Sequence, residues 1–81
     1  MAGRHRTRKH RALQEALREI RQGAKLSQVE LAARLQKPQS YVSKYESGER
    51  KLDLPELDEI CTALGATLER LVRRYRKRLQ I

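Results

Sequence analysis

The chain has 81 residues, of which 38% are hydrophobic, and it carries a net charge of +9 with three tyrosines as its only aromatic residues. This length suits one domain with a modest core, and no segment approaches the roughly eighteen apolar residues of a membrane-spanning helix. The single cysteine, Cys61, excludes a disulfide, and His5 and His10 have no ligand partner near them in sequence. We therefore expect neither a metal nor a cofactor.

The positive charge is concentrated at the two ends of the chain. Residues 1–11 contain five basic residues and no acidic one, and residues 70–81 contain six basic residues and no acidic one. Such ends suit a polyanion, because each neutralised phosphate releases counterions, although either end alone is equally compatible with a solvated tail. The basic start is not followed by an apolar run, which argues against a secretory signal and predicts a cytoplasmic, nucleoid-associated protein.

Periodicity and capping residues predict the first two helices. Leu13, Leu17 and Ile20 share one face of a first helix that ends near Gly23. A capping box at Ser27 begins the second helix, because the serine accepts a backbone N–H while a glutamate three residues later reaches back. No strand-like alternation is present, so an all-α protein is expected.

The second and third helices predict a helix-turn-helix. Only residues 36–38 connect them, and so short a connection makes the helices cross steeply, as in DNA-reading pairs. The third helix, about residues 38–47, presents a face of hydrogen-bonding side chains without an acid: Gln39, Ser40, Ser43 and Lys44. This face is typical of base recognition, although an ordinary solvated helix surface has a similar composition.

A second capping box at Asp53 begins the fourth helix, and Thr67 caps the fifth. Cys61, on the inner stripe of the fourth helix, is interpreted as a small buried hydrophobe rather than a redox sensor.

The fifth helix carries more apolar residues than one small core needs. Leu68, Leu71 and Val72 are sufficient to dock it on the domain. Tyr75 and Leu79 continue the stripe, which predicts a dimer or partner surface. The alternative is that these two residues fold back on the first helix.

Residues 13–72 resemble the Cro/cI-type, or XRE, family of helix-turn-helix repressors. The matching segments are Leu26-Ser27-Gln28 with Glu30-Leu31-Ala32, the run from Pro38 to Arg50, the Asp53 cap, and Ala63-Leu64-Gly65-Ala66. The resemblance implies an all-α, compact five-helix, lambda-repressor-like domain over residues 12–72. Residues 1–11 would then form a flexible basic arm, and residues 73–81 a basic extension of the fifth helix.

The resemblance also implies roles for individual residues. Gln39, Ser40 and Lys44 match base-contacting positions, and Gln and Lys pair well with adenine and guanine, respectively. Tyr41 either contacts DNA or only covers the helix. Arg21 and Glu46 match a structural ion pair. Six residues are candidate phosphate contacts. Gln28 matches a family position that contacts the DNA backbone, and the other five are chosen for their charge and their location: Lys37, Ser43, Ser47, Arg50 and Lys51.

The turn departs from the family pattern at one position. Relatives commonly have glycine where this chain has Gln36. If the turn requires a positive φ, glutamine adopts it at a cost that glycine avoids.

These features favour a sequence-specific transcriptional regulator, with repression the favoured activity, that binds a near-palindromic site in double-stranded DNA as a homodimer. An alternative is an antitoxin or other interaction module that binds a protein partner and autoregulates through the same helices. A third interpretation is nonspecific nucleoid or RNA binding through the basic ends. An enzyme is not expected, because no nucleophile–base pair, carboxylate pair or phosphate loop is present, and no membrane association is expected.

Overall fold

The computed structural model describes residues 7–80, which form five α-helices and no strand. They are α1 (Arg8–Gly23), α2 (Gln28–Leu35), α3 (Gln39–Ser47), α4 (Leu54–Ala63) and α5 (Leu68–Leu79). The all-α, five-helix prediction is confirmed. No helix in this part of the chain combines the length and apolar character needed to cross a membrane.

Side-chain caps set the starts of four helices. The side chains of Ser27, Asp53 and Thr67 each accept the backbone N–H three residues on, and the first two form full capping boxes. Thr7 caps α1 in the same way, accepting from the His10 N–H at 3.1 Å. Because of this cap, α1 begins at Arg8, so the part of the predicted flexible arm from residue 8 to residue 11 is helical. Residues 1–6 of that predicted arm lie outside the described residues.

One core lies between the helices and draws on all five. Leu17 and Ile20 of α1, together with residues from the four later helices, have almost no exposed surface. The buried side chains from those later helices are Leu31, Ala32, Val42, Tyr45, Ile60, Cys61 and Leu71. Ala32 is small enough for α3 to approach α2 closely, and Leu35 packs against the core beside them. This packing fixes α3 against α2.

The turn between α2 and α3 requires a left-handed residue at Gln36. Its φ is 57° and its ψ is 43°, the region that favours glycine. In this conformation the backbone N–H groups of Gln36 and Lys37 reach the last carbonyls of α2, with Lys37 N–H 3.0 Å from the Ala32 oxygen. The strained residue therefore caps α2 and sets the direction in which α3 leaves it.

Helix α5 packs along α1, and ion pairs join the two helices. Arg74 and Arg78 pair with Glu19, and Arg78 also pairs with Glu15 at 3.1 Å. Arg8 donates to the Leu79 carbonyl oxygen at 2.9 Å. Part of the predicted basic extension of α5 is thus engaged by acidic side chains of α1.

This arrangement corrects one prediction for α5, that for Val72. Tyr75 is half-buried and packs against the core, and Leu79 is half-buried near α1, so the role of these two residues as a dimer or partner surface stays a prediction. Val72, predicted to dock on the core, is 45% exposed. The reason is the position of the buried stripe: Leu71, with Leu68 and Tyr75 beside it, faces the core, and Val72 lies about 100° further round the helix from Leu71, on the outer flank.

Candidate nucleic-acid interface

Helix α3 has a buried face and an exposed face. Val42, Tyr45 and Glu46 are buried against the rest of the domain. The predicted base-contacting residues Gln39, Ser40 and Lys44 are all exposed, and so are Ser43 and Ser47. The helix is therefore fixed from behind and directs hydrogen-bonding groups to solvent, the arrangement needed for a helix that enters a DNA groove.

A buried ion pair connects the end of α3 to α1. Arg21 donates to both carboxylate oxygens of Glu46, from Nε at 2.7 Å and from the second guanidinium nitrogen at 3.0 Å. The remaining terminal nitrogen of Arg21 donates to the Leu26 carbonyl oxygen at 2.8 Å. The hydrogen bonds to Glu46 raise the pKa of the Arg21 guanidinium above its usual value. Arg18 approaches Glu46 from the solvent side at 3.5 Å. The bidentate geometry fixes the orientation of α3 relative to α1.

Gln28 links the Glu46 carboxylate to Gln39 on the exposed face of α3. The Gln28 side-chain nitrogen donates to Glu46 Oε1 at 3.0 Å, and its oxygen accepts from the Gln39 side-chain nitrogen at 3.4 Å. Gln28 is half-buried, so its amide is held between the ion pair and the first residue of α3. The sequence did not predict this connection, because Gln28 lies on α2 and the carboxylate that it binds, Glu46, lies on the buried face of α3.

Tyr41 lies between two cationic side chains. The Lys37 ammonium is 5.3 Å from the centre of its ring and the Arg50 guanidinium is 4.9 Å from it. The ring also meets Tyr45 edge to face, with 5.7 Å between centroids. Burial raises the pKa of the Tyr41 phenol. Tyr41 is thus half-buried and holds Lys37 and Arg50 near the two ends of α3 by cation–π contact.

The predicted phosphate-contacting residues differ in their surroundings. Arg50 is paired with Glu56, which partly neutralises its charge. Ser47 donates to the Lys44 carbonyl oxygen at 3.0 Å, within its own helix. Lys37, Ser43 and Lys51 are exposed. The candidate surface brings these groups to the side of the domain formed by α3 and its two flanking turns.

Between residues 7 and 80 no three histidine, cysteine or acidic side chains come together as a metal-binding group. Cys61 is buried, and that burial raises the pKa of its thiol, which disfavours the reactive thiolate.

Comparison with known proteins places this geometry in a family. A family model described as helix-turn-helix matches residues 17–71. The solved structure of an XRE-family like protein from Pseudomonas syringae pv. tomato str. DC3000 is 40% identical, covers 85% of this chain and 84% of that chain, and has a TM-score of 0.78. No curated protein sequence gives a significant match.

Two structures of the clp gene regulator ClgR from Corynebacterium glutamicum are also similar. One is 26% identical, with 89% of this chain and 92% of that chain covered and a TM-score of 0.80. The other is 28% identical, with 85% and 73% covered and a TM-score of 0.78. The family match spans the whole helix-turn-helix and most of the core around it, and the chain therefore belongs to the Cro/cI-type (XRE) family of helix-turn-helix proteins.

Proposed function

We propose that the protein is a sequence-specific DNA-binding transcriptional regulator that inserts α3 into the major groove and acts as a repressor. The observation that carries this proposal is the exposed face of α3, where Gln39, Ser40 and Lys44 project from a helix anchored by buried residues. A major groove admits one α-helix and presents donors and acceptors that such side chains match. The clp gene regulator among the similar structures supports a regulatory function for this chain.

Within this proposal Gln39 contacts an adenine. Its hydrogen bond to Gln28 uses one amide N–H and leaves the carbonyl oxygen and the second N–H. Those two groups match the N6 donor and N7 acceptor of adenine. Lys44, five residues further along the exposed side of α3, would then donate to guanine.

Phosphate contacts on both sides of α3 would fix its register. Lys37 and Arg50 are held by the Tyr41 ring, and Gln28 keeps a second amide N–H beside its bond to Glu46. Such contacts position a protein on the duplex and make affinity depend on salt, but they carry no sequence information directly.

The proposal is tested by selecting bound sites from random duplex DNA and then measuring the affinity of variants for the selected site. We expect an enriched two-fold symmetric motif, because two copies of the domain would read two half-sites about 34 Å apart. Gln39→Ala and Lys44→Ala should each cost about 1–3 kcal/mol and relax the preference at one base pair of each half-site. Gln22→Ala, at an exposed glutamine on α1, is the matched control. No enrichment, or equal affinity of the Gln39, Lys44 and Gln22 variants, would refute specific recognition and favour nonspecific binding through the basic ends.

The alternative function, an antitoxin that binds a partner protein, is favoured by a different observation. Leu54 is 62% exposed and Val72 is 45% exposed, and a partner protein would cover these two large apolar side chains.

A further inference from the structure

The Glu56 carboxylate makes two different contacts at the same time. One of its oxygens, Oε1, accepts the Asp53 backbone N–H at 3.0 Å and completes the capping box of α4. The other oxygen, Oε2, pairs with the Arg50 guanidinium. The hydrogen bond from Asp53 and, after it, the one from Arg50 lower the pKa of the Glu56 carboxyl, so this group is ionised at neutral pH. A helix cap and a candidate phosphate-contacting arginine thus depend on the same carboxylate.

The capping contact holds Glu56 in place, whereas Arg50 is freer to move. The Glu56 side chain is 25% exposed and is fixed at the start of α4 by the backbone of Asp53. The Arg50 side chain is 42% exposed, and its guanidinium lies 4.9 Å from the centre of the Tyr41 ring. When the ion pair opens, Arg50 is therefore the partner that moves, because it can shift across the ring while Glu56 keeps its place in the cap.

The cation on the other side of Tyr41 has no such partner. The Lys37 ammonium lies 5.3 Å from the ring centre. Within residues 7–80, Lys37 takes part in no ion pair. The two cations that flank α3 are therefore not equivalent. A phosphate that reaches Lys37 meets an unpaired ammonium, whereas a phosphate that reaches Arg50 meets a guanidinium already bound to a carboxylate.

We propose that Glu56 competes with the DNA backbone for Arg50 and thereby lowers the affinity of the protein for DNA without changing its sequence preference. This inference rests on the proposed function, in which Arg50 contacts a phosphate. A phosphate and a carboxylate bound to the same guanidinium are two anions close together, and they repel each other. Arg50 therefore either leaves Glu56 when it binds DNA or binds the phosphate against this repulsion. In both cases the carboxylate weakens a contact that carries no sequence information directly.

The substitution that tests this inference is Glu56→Gln. Glutamine also fits this position of a capping box, so the cap of α4 is retained while the charge that binds Arg50 is removed. We expect Glu56→Gln to tighten DNA binding by about three- to fivefold, near the upper limit for an exposed ion pair. Fluorescence anisotropy gives the dissociation constant for the selected site and for a duplex of unrelated sequence. The gain should be the same on both duplexes.

Loss of any acidic charge near DNA favours binding to some extent, so a matched control is needed. Glu59 lies three residues further on α4, in the groove that also contains Lys37. It is exposed and takes part in no ion pair with another described residue. Salt screens an exposed, unpaired charge of this kind, so Glu59→Gln should tighten binding by less than about twofold.

The sharper test repeats Glu56→Gln in two other backgrounds, as a double-mutant cycle. In the Arg50→Gln background the arginine for which Glu56 competes is absent, so the gain should fall to that of Glu59→Gln. In the Lys37→Gln background the full gain should remain, because Lys37 has no acidic partner. Arg50→Gln and Lys37→Gln alone should each bind both duplexes more weakly, since each removes a phosphate contact. Thermal unfolding checks that every variant is folded.

Three results would overturn the inference. They are a gain for Glu56→Gln no larger than for Glu59→Gln, a gain that persists without Arg50, and weaker binding by Glu56→Gln, which would mean that the ion pair orients Arg50 for the phosphate. If the wild type still prefers the selected site in these cases, the proposed function stands. If the variants behave as expected but the wild type binds both duplexes equally, specific recognition is wrong and the role of Glu56 stands. A chain that binds neither duplex would refute both.

Discussion

Replacing Arg21 by alanine should be among the most damaging single changes in the domain. The Arg21 side chain is 10% exposed and the Glu46 side chain is 1% exposed, so Arg21→Ala leaves a carboxylate buried without its main partner. Breaking such a pair costs about 3–5 kcal/mol. Arg18 and Gln28 remain within reach of Glu46 and offset part of this cost, which places the expected loss near the lower limit, about 3 kcal/mol.

Thermal unfolding followed by circular dichroism measures this loss. For a domain of this size, a change of 1 kcal/mol shifts Tm by about 4–8 °C, so Arg21→Ala should lower Tm by about 12–24 °C. Arg18→Ala is the matched control. Arg18 approaches the same carboxylate, but its side chain is 47% exposed, and exposed ion pairs contribute at most about 1 kcal/mol.

Equal melting temperatures for the Arg21 and Arg18 variants would refute this reasoning. A second variant separates the unpaired charge from lost packing. Arg21→Met combined with Glu46→Leu removes both charges and keeps similar volumes, so it should recover much of the stability lost in Arg21→Ala. If the double replacement is no more stable than Arg21→Ala, the loss comes from packing and not from the uncompensated carboxylate.

Two further predictions concern the turn and the α1–α5 contact. Gln36→Gly should raise the free energy of unfolding by about 0.5–1 kcal/mol, because glycine adopts the observed φ of 57° without strain. The control Ala33→Gly, in the preceding helix, should lower the free energy of unfolding by about 1 kcal/mol. A lower Tm for Gln36→Gly would contradict this reasoning. The Arg78 guanidinium beside Glu19 lowers the pKa of that carboxyl below its usual value. The ionised Glu19 therefore stabilises the fold at a pH above its unfolded-state pKa. This stabilisation is lost as the pH falls through the lower folded-state pKa. Glu19→Gln should therefore lower Tm by up to about 5 °C at pH 7 and by progressively less below pH 4.5. A constant difference between wild type and Glu19→Gln from pH 7 to pH 2 would refute the assignment.

The helices were predictable because their ends are fixed by local chemistry. The capping boxes at Ser27 and Asp53 and the cap at Thr67 involve residues three positions apart, so sequence spacing contains all the information they need. The start of α1 is the exception. Thr7 caps it in the same way, but the basic residues that follow resemble a solvated arm, and their charge concealed the cap.

The side of α5 that faces the core could not be predicted from its own residues. Val72 and Tyr75 both belong to a broad apolar stripe, and periodicity does not distinguish the flank of such a stripe that is buried. The choice depends on residues distant in sequence, since Leu71 and Tyr75 pack into a core formed by the other helices, while Glu15 and Glu19 of α1 pair with arginines beside them.

The candidate DNA-binding surface depends partly on local spacing along one helix and partly on contacts between helices distant in sequence. The exposed face of α3 follows from helical spacing, but the orientation of its side chains depends on α1 and α2. Glu46 is held by Arg21 from α1, and the same carboxylate holds Gln28, which in turn contacts Gln39. Since the first residue of α3 is positioned through a buried ion pair, the interaction that stabilises the fold also limits where the Gln39 amide, which we propose contacts a base, can lie. Spacing along α3 therefore identifies which residues are exposed, and contacts between distant helices determine how the Gln39 side chain is held.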